Sequence, residues 1–281
     1  MSKQTLMAVL AHPDDESFGM GGTLALYAAR GVDVHLICAT RGEVGDVAPD
    51  MLKGFNSIAE LRESELRCAA GHLGLKAVHF LDYRDSGMPG SPDNRHPQAL
   101  AAQPLDEVAA KIVCLIRNLK PQIVLTFDPI GGYRHPDHIA IQRATVRAFE
   151  QAGNPAFAPE SLPAYTPERL YFHVFPKGLL KVGVKLLPLT GKDPHKFGTN
   201  GDIDMVSIAE VNFPVHARIN VKSVLDKKEQ AGACHASQGG GRVGGNLITF
   251  FMRRFSATES FMRAYPPVDH RTRIEKDLFA G

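Results

Sequence analysis

Two short clusters of histidines and carboxylates stand directly after two apolar segments of the sequence. The first is residues 11–16, AHPDDE, which follows residues 6–10, and the second is residues 135–138, HPDH, which follows residues 123–127. Both apolar segments are typical of strands buried on two faces of a parallel sheet. The carboxyl ends of such strands meet at one edge, where ligands bind in open α/β sheets. The sequence therefore predicts one site built from both clusters.

The chemistry that these residue types favour is metal binding. His12 and Asp15 are three residues apart, as are His135 and His138, so each pair can direct two side chains toward one point. A catalytic zinc site commonly has three N or O protein ligands and an open position. Hydrolysis also needs a carboxylate that accepts a proton from water and a donor that stabilises an oxyanion. The competing interpretation is that the carboxylates of the first cluster only stabilise a helix N-terminus.

The elements that must position these clusters alternate between strand and helix patterns. Apolar segments predict strands at residues 6–10, 32–39, 78–81, 123–127 and 170–175. Helical spacing of apolar residues predicts helices at residues 17–30, 59–73, 105–119, 138–151 and 221–237. Strands separated by such helices form right-handed crossovers. The predicted fold class is α/β, a Rossmann-like, doubly wound, mainly parallel sheet with a smaller irregular C-terminal part.

The two halves of the chain differ in regularity. We expect residues 1–175 to form the α/β metal-hydrolase core and residues 176–281 to form a C-terminal part packed on the same domain, with a substrate-site insertion at 178–204 and a closing helix. Residues 179–189 favour a packed insertion, with an interfacial helix as the alternative. Residues 239–244, GGGRVG, match a dinucleotide fingerprint but follow a helix, which predicts a flexible loop instead.

Composition narrows the classes of protein. A net charge of +2 over 281 residues, with scattered basic side chains, gives no nucleic-acid footprint. No apolar run is long enough to span a bilayer, and no secretory signal is apparent. The four cysteines are far apart and form no C-x-x-C pair, so we expect no disulfide framework and a reducing, cytoplasmic location. The turn after the first predicted strand is acidic and lacks the glycine fingerprint of dinucleotide binding, which argues against a nicotinamide cofactor. The sequence leaves open whether the protein forms a homo-oligomer.

The sequence resembles the LmbE-like, or PIG-L, family of zinc-dependent N-acetylglucosaminyl deacetylases, and is most similar to the branch that acts on thiol-cofactor precursors and conjugates with a GlcN-inositol core. The segments that carry the resemblance are 11–16 (AHPDDE), 62–66 (RESEL), 84–88 (RDSGM), 131–138 (GGYRHPDH) and 228–238 (KEQAGACHASQ). One departure is Arg134, which stands where a glycine is common in the family motif.

The resemblance implies a role for each matching residue. It implies His12, Asp15 and His138 as ligands of Zn²⁺, with Fe²⁺ as the alternative ion. It implies Asp14 as general base, His135 as the donor to the oxyanion, Asp137 as the group that tunes His135, and Tyr133 as a residue that assists at the transition state. It implies that Arg62 and Asp85 hold sugar or inositol hydroxyls.

Each substrate-binding role has a structural alternative. Arg62 can instead pair with Glu63 or Glu65 on its helix, and Asp85 can simply start a turn. His235 is expected to be a surface or packing residue of its helix rather than a further ligand.

The implied function is hydrolysis of the acyl amide of an N-acylated amino sugar, such as a GlcNAc conjugate. Two alternatives remain at this point. One is an amidase that cleaves S-conjugates of a thiol cofactor. The other, from a different class, is a non-catalytic sugar-binding module on the same fold.

Overall fold

The fold is built around one mainly parallel sheet, as the α/β prediction requires. A computed structural model of the protein describes residues 3–157, 162–175, 177–191, 193–196, 201, 204–240, 257–268 and 273–280. The strands are β1 (Thr5–Leu10), β2 (Asp33–Cys38), β3 (Ala77–Phe80), β4 (Ile123–Phe127), β5 (Arg169–Val174), β6 (Ala217–Asn220) and β7 (Thr258–Tyr265). They are ordered β3-β2-β1-β4-β5-β7-β6 across the sheet.

The first five strands run parallel, and the last two run antiparallel to their neighbours. Every residue of β1 is buried, because helices cover both faces of the sheet. The doubly wound prediction is therefore confirmed. The two antiparallel strands come from residues after 176, so the C-terminal part extends the same sheet. The division at residue 175 otherwise stays a prediction.

The helices fall into two layers around this sheet. They are α1 (Asp15–Phe18), α2 (Gly21–Ala29), α3 (Ile58–Leu73), α4 (Leu105–Leu119), α5 (Gly131–Arg134), α6 (Pro136–Gln151), α7 (Gly178–Leu186), α8 (Met205–Glu210) and α9 (Leu225–Cys234). The helices α2, α3 and α9 pack against one another, and α4 packs against α6. None of the helices in the described part of the chain is long and apolar enough to cross a membrane.

Several helix boundaries follow from local chemistry. The Ser57 side chain accepts the backbone N–H of Glu60 and so begins α3. Gly74, with φ 74°, ends that helix. In α6, Pro136 occupies the first turn, where its missing N–H costs nothing.

The predicted helix over residues 17–30 is wrong, because it is two helices. The break lies between α1 and α2, and α2 begins anew at Gly21. The reason is a distant partner. The Glu259 carboxylate on β7 accepts the backbone N–H groups of Gly22 at 3.0 Å and Thr23 at 2.7 Å. A carboxylate at this position satisfies the N-terminal donors of α2, which no local pattern reveals.

The C-terminal predictions also needed correction. The predicted helix over residues 221–237 shortens to α9, with a 3₁₀ turn at Lys222–Val224 before it. The expected insertion at 179–189 contains α7, which packs on α8. The four-residue strand β6 and the eight-residue strand β7 were not predicted. Most of the expected loop at 239–244 lies outside the described residues.

The expectation of no disulfide is also wrong. Cys68 on α3 and Cys234 on α9 form a disulfide, with a Cα–Cα distance of 5.9 Å. The two cysteines are far apart in sequence and are brought together only because α3 packs on α9. The ligand atoms of Cys68, His72 and Cys234 lie within 4.8 Å of one another, so these side chains could hold a metal ion if the disulfide were reduced. As bonded sulfurs, the cysteines offer no thiolate.

Candidate metal centre and active site

The site lies where the sequence predicts it, at the carboxyl ends of the parallel strands. A cleft of about 790 Å³ opens there. Of the residues that the resemblance singles out, those that line the cleft are His12, Asp14, Arg62, Asp85, Tyr133 and His135. Asp15, Asp137 and His138 lie directly behind this lining, in contact with His12.

The three expected metal ligands converge. Nδ1 of His12 lies 3.2 Å from Nε2 of His138, which in turn lies 3.2 Å from Oδ1 of Asp15. Oδ2 of Asp15 is 3.7 Å from Nδ1 of His12. Donors bound to one tetrahedral zinc ion at its usual bond lengths stand roughly 3.3 Å apart. His12, Asp15 and His138 therefore have the spacing of a chelate.

The hydrogen bonds of the two histidines favour a cation between them. Nε2 of His12 lies 3.1 Å from Oδ2 of Asp137, and Nδ1 of His138 lies 3.1 Å from the carbonyl oxygen of Gly131. When each of these nitrogens donates to its oxygen partner, the other nitrogen of each ring presents a lone pair. Two lone pairs 3.2 Å apart repel unless a cation or a proton lies between them. This arrangement is typical of metal-bound histidines with oriented rings, so the residues fit a divalent cation.

Backbone geometry explains how the second cluster reaches this point. Gly131 and Gly132 adopt φ of 64° and 70°, and a Cβ atom on Gly131 would lie 2.7 Å from Cβ of His138. Arg134 also has a positive φ, 70°, a conformation that glycine adopts at less cost than arginine. Its guanidinium donates to the hydroxyl of Ser207 on α8 and so ties this turn to the C-terminal part.

His135 belongs to the same group of buried rings. The ligand atoms of His12, His135 and His138 all lie within 4.8 Å of one another, so His135 is a further candidate ligand. Its Nδ1 accepts the backbone N–H of Asp137 and begins α6. Burial, with the nearby His12 and His138, lowers the pKa of His135 to about 2. The ring is therefore neutral and can donate through Nε2.

Asp137 connects the two clusters. Its carboxylate contacts His12 and the backbone N–H of Ser86, at 2.9 Å, and the Ser86 hydroxyl donates to its other oxygen. Its contact with His135 is made by the backbone N–H alone. The described contacts thus place the Asp137 carboxylate against the His12 ring, and its expected role toward His135 stays a prediction.

Asp14 occupies the cleft in a strained conformation. Its φ is 108°, a region that costs a residue other than glycine about 1–3 kcal/mol. Removal from water raises the pKa of the Asp14 carboxyl to about 6, while the Arg62 guanidinium opposes that rise. A carboxylate whose pKa lies near neutrality suits proton transfer in either direction.

Arg62 and Asp85 frame the other side of the cleft. Nη2 of Arg62 donates to the Pro13 carbonyl at 2.6 Å and to Oδ2 of Asp14 at 3.1 Å, rather than pairing with a glutamate of its own helix. Burial alone would raise the pKa of Asp85, but His12 and the backbone N–H of Gly87 hold it well below its ordinary value. Asp85 is therefore a buried anion that faces the cleft.

Tyr133 lies at the mouth of the site. Its ring packs edge-on against His138, with centroids 4.9 Å apart, and the residue is 37% exposed. It can therefore contact both the buried rings and a molecule in the cleft.

Sequence reasoning missed a second layer of side chains. Glu16 and His235 are both fully buried and lie 2.7 Å apart, so His235 is not a surface residue. Glu65 accepts the backbone N–H and hydroxyl of Ser237, which lines the cleft. The signal available in the sequence was Glu16 itself, a third carboxylate in a motif that needs only two.

Comparison with known proteins decides the family. The family model described as "PIG-L: GlcNAc-PI de-N-acetylase" matches residues 7–149, which include both clusters. The chain belongs to the PIG-L family. This confirms the resemblance found in the sequence.

One relative is similar to this chain in sequence, and two solved structures are similar to it in fold. The 1D-myo-inositol 2-acetamido-2-deoxy-alpha-D-glucopyranoside deacetylase of Acidothermus cellulolyticus is 36% identical, over 99% of this chain and 95% of its own length. The N,N'-diacetylchitobiose deacetylase of Pyrococcus horikoshii has a TM-score of 0.62 at 20% identity, covering 93% of this chain and 84% of its own. GalB, the 4-carboxy-2-hydroxymuconate hydratase of Pseudomonas putida, has a TM-score of 0.61 at 18% identity, covering 96% of this chain and 100% of its own.

The two structures support the fold only. One is a deacetylase and the other a hydratase, so the fold by itself does not select a reaction. The likeness that bears on activity is the one in sequence, which extends over nearly the whole of this PIG-L chain.

Proposed function

We propose that this protein is a metal-dependent deacetylase that hydrolyses the acetamide of an N-acetylglucosaminyl-inositol. The observation that carries the proposal is the chelate of His12, Asp15 and His138 beside Asp14 in an open cleft. The inositol aglycone is taken from the relative in Acidothermus cellulolyticus, whose name specifies that substrate. The cleft volume, about 790 Å³, is ample for a disaccharide-sized molecule.

Zn²⁺ is the cation that we propose for the site, with Fe²⁺ as the alternative because N and O donors accept both. A divalent cation held by His12, Asp15 and His138 would polarise the amide carbonyl and lower the pKa of a coordinated water. The remaining steps belong to side chains of this chain.

Asp14 is proposed as the general base and then as the acid. Its carboxylate accepts a proton from the attacking water and returns it to the departing amine. A pKa raised to about 6 by burial allows both transfers near neutral pH. The Arg62 guanidinium, 3.1 Å from Oδ2 of Asp14, holds one carboxylate oxygen and leaves the other for the proton.

His135 is proposed to stabilise the oxyanion that forms when water adds to the carbonyl. Its ring is neutral and lines the cleft, so Nε2 can donate to that oxygen. Tyr133 assists from the mouth of the cleft. Arg62 and Asp85 are proposed to bind sugar or inositol hydroxyls, since both line the cleft and carry opposite charges. Asp137 is proposed to orient the His12 ring.

The test is acetate release from N-acetylglucosaminyl-inositol by the metal-loaded protein. Asp14→Asn should lower kcat by about 10²- to 10⁴-fold with unchanged metal content, because the base is lost and the ligands remain. Asp82→Asn is the matched control. Asp82 is also a carboxylate with a positive φ, but it pairs with Arg41 away from the cleft, so its variant should keep the wild-type rate.

Two results would contradict the proposal. Full activity of Asp14→Asn would remove the base assignment. Release of the amine from an S-conjugate of a thiol cofactor, with no acetate from the N-acetyl sugar, would instead support the amidase alternative.

The ligand set has a separate readout. His12→Ala, Asp15→Ala and His138→Ala should each lose bound metal when measured by elemental analysis, because two donors hold a divalent ion far less tightly than three. Retention of stoichiometric metal in any of the three variants would remove that residue from the set.

A further inference from the structure

Glu16 belongs to the first cluster, but the proposed reaction gives its carboxylate no role. It is fully buried, and the structure does not place it among the residues that line the cleft. Its Oε2 accepts the backbone N–H of Asp14 at 3.0 Å, and its Oε1 accepts the Ser17 hydroxyl at 2.6 Å. A carboxylate in this environment is stable only when donors surround it.

The third donor is His235, which follows α9. Its Nε2 lies 2.7 Å from Oε1 of Glu16, and its ring packs against Phe18 with centroids 5.9 Å apart. Burial by itself would lower the pKa of His235, but the Glu16 carboxylate raises it above the ordinary value. The two side chains therefore form a buried, charge-assisted hydrogen bond between α9 and the first cluster.

The backbone of Asp14 shows what this bond can do. With φ of 108°, Asp14 is in a conformation that a residue other than glycine keeps only when its surroundings impose it. From one direction, the Arg62 guanidinium donates to the Pro13 carbonyl oxygen and to the Asp14 carboxylate. Glu16 holds the backbone N–H from the other. The direction of the Asp14 carboxylate depends on both.

We propose that Glu16 and His235 form a positioning pair that fixes the backbone of Asp14 and so aims its carboxylate into the cleft. This inference rests on the proposed function of Asp14 as the base. Neither member of the pair contacts the substrate. His235 holds the Glu16 side chain in place, and Glu16 restrains the strained peptide of Asp14.

Replacing His235 provides the decisive comparison. His235→Leu should lower kcat by about 10- to 100-fold, because a small misplacement of the base is costly, while KM and metal content stay near wild type. His235→Gln keeps an amide donor and should recover most of the lost kcat. Glu16→Gln presents one oxygen and one amide to three donors, so it should resemble His235→Leu.

A control separates positioning from loss of stability. Arg117 is equally buried, and its guanidinium donates to the carbonyl oxygens of Ala152 and Asn154, on the α4–α6 side of the sheet. Arg117→Leu should lower the melting temperature and leave kcat unchanged at assay temperature. If Arg117→Leu lowers kcat as much as His235→Leu does, the positioning role is overturned.

A second readout does not use activity. In NMR spectra of the wild-type protein, the Nε2–H of His235 should be protected from exchange, and the protection should disappear in Glu16→Gln. Wild-type kcat in both His235→Leu and Glu16→Gln would overturn the inference and leave the proposed function intact. A wild-type protein that releases no acetate would overturn the proposed function, while the NMR result would still report on the pair.

Discussion

At the scale of single residues, the site depends on backbone positions that ordinary side chains avoid. Asp14 and Arg134 both have positive φ, and Gly42 has φ 65° directly beneath the Arg62 guanidinium. Nη1 of Arg62 donates to the Gly42 carbonyl at 2.8 Å, so the arginine lies flat on that turn. The missing side chain of Gly42 is thus what allows Arg62 to reach Asp14.

Gly42→Ala tests this dependence. A Cβ atom at Gly42 would lie 2.0 Å from Nη1 of Arg62, so the guanidinium must leave its place beside Asp14. We expect kcat/KM for acetate release to fall by about 10-fold or more.

Gly54→Ala is the matched control. Gly54 has φ 94°, but nothing lies within 4 Å of an added Cβ atom. It should cost about 1 kcal/mol of stability from backbone strain and leave kcat/KM unchanged. Equal loss of activity in the two variants would show that strain, rather than displacement of Arg62, is responsible.

The residue types and spacing of the two clusters were enough to predict one site at this edge of the sheet, because parallel strands bring their carboxyl ends together. The choice of His12, Asp15 and His138 as ligands came from the family resemblance and stays a prediction. The orientation of each ring was not predictable. Asp137 contacts His12 through a fold that joins residues 125 positions apart, and His235 reaches Glu16 across 219 positions. The first contact depends on where α6 lies against the end of β1 and the second on the packing of α9, and local sequence patterns encode neither.

At the scale of elements, α3 and the segment that follows α9 form one wall of the cleft. α3 carries Arg62 and Glu65, and the segment after α9 carries His235 and Ser237. The Cys68–Cys234 disulfide joins the two helices next to these residues. The covalent link therefore restrains the part of the protein that holds the cleft wall together.

Removal of the disulfide should cost stability. Because it closes a long loop, Cys68→Ser is expected to lower the free energy of unfolding by about 2–4 kcal/mol, measured by denaturant titration without reductant. A reducing agent should lower wild-type stability to the level of Cys68→Ser and leave the variant unaffected. Wild-type stability that does not respond to reductant would contradict this contribution.

At the scale of the whole molecule, β7 connects the C-terminal part of the chain to α2, near the N-terminus. Glu259 on this strand satisfies the first donors of α2 and pairs with Lys228 on α9. His173 on β5 packs against Phe261 of β7 and is almost fully buried. Burial lowers the pKa of His173 to about 4, although Glu259 opposes the change. Protonation of His173 therefore weakens this junction.

The consequence is a loss of stability on acidification. His173 has a folded pKa below its unfolded value of about 6.5, so its contribution is complete above that pH and declines as pH falls toward 4. Between pH 7 and pH 5, His173→Asn should lose about 2 kcal/mol less unfolding free energy than the wild type. Parallel pH profiles of the two proteins would contradict the assignment.

The position of β7 between β5 and β6 also has a consequence for synthesis on the ribosome. At ordinary rates of translation, β5 emerges on the order of ten seconds before its neighbour does. During that interval the nascent sheet carries an open hydrogen-bonding edge, which is the kind of edge that invites intermolecular pairing. Early folding of this enzyme is thus the stage at which chaperone protection would matter most.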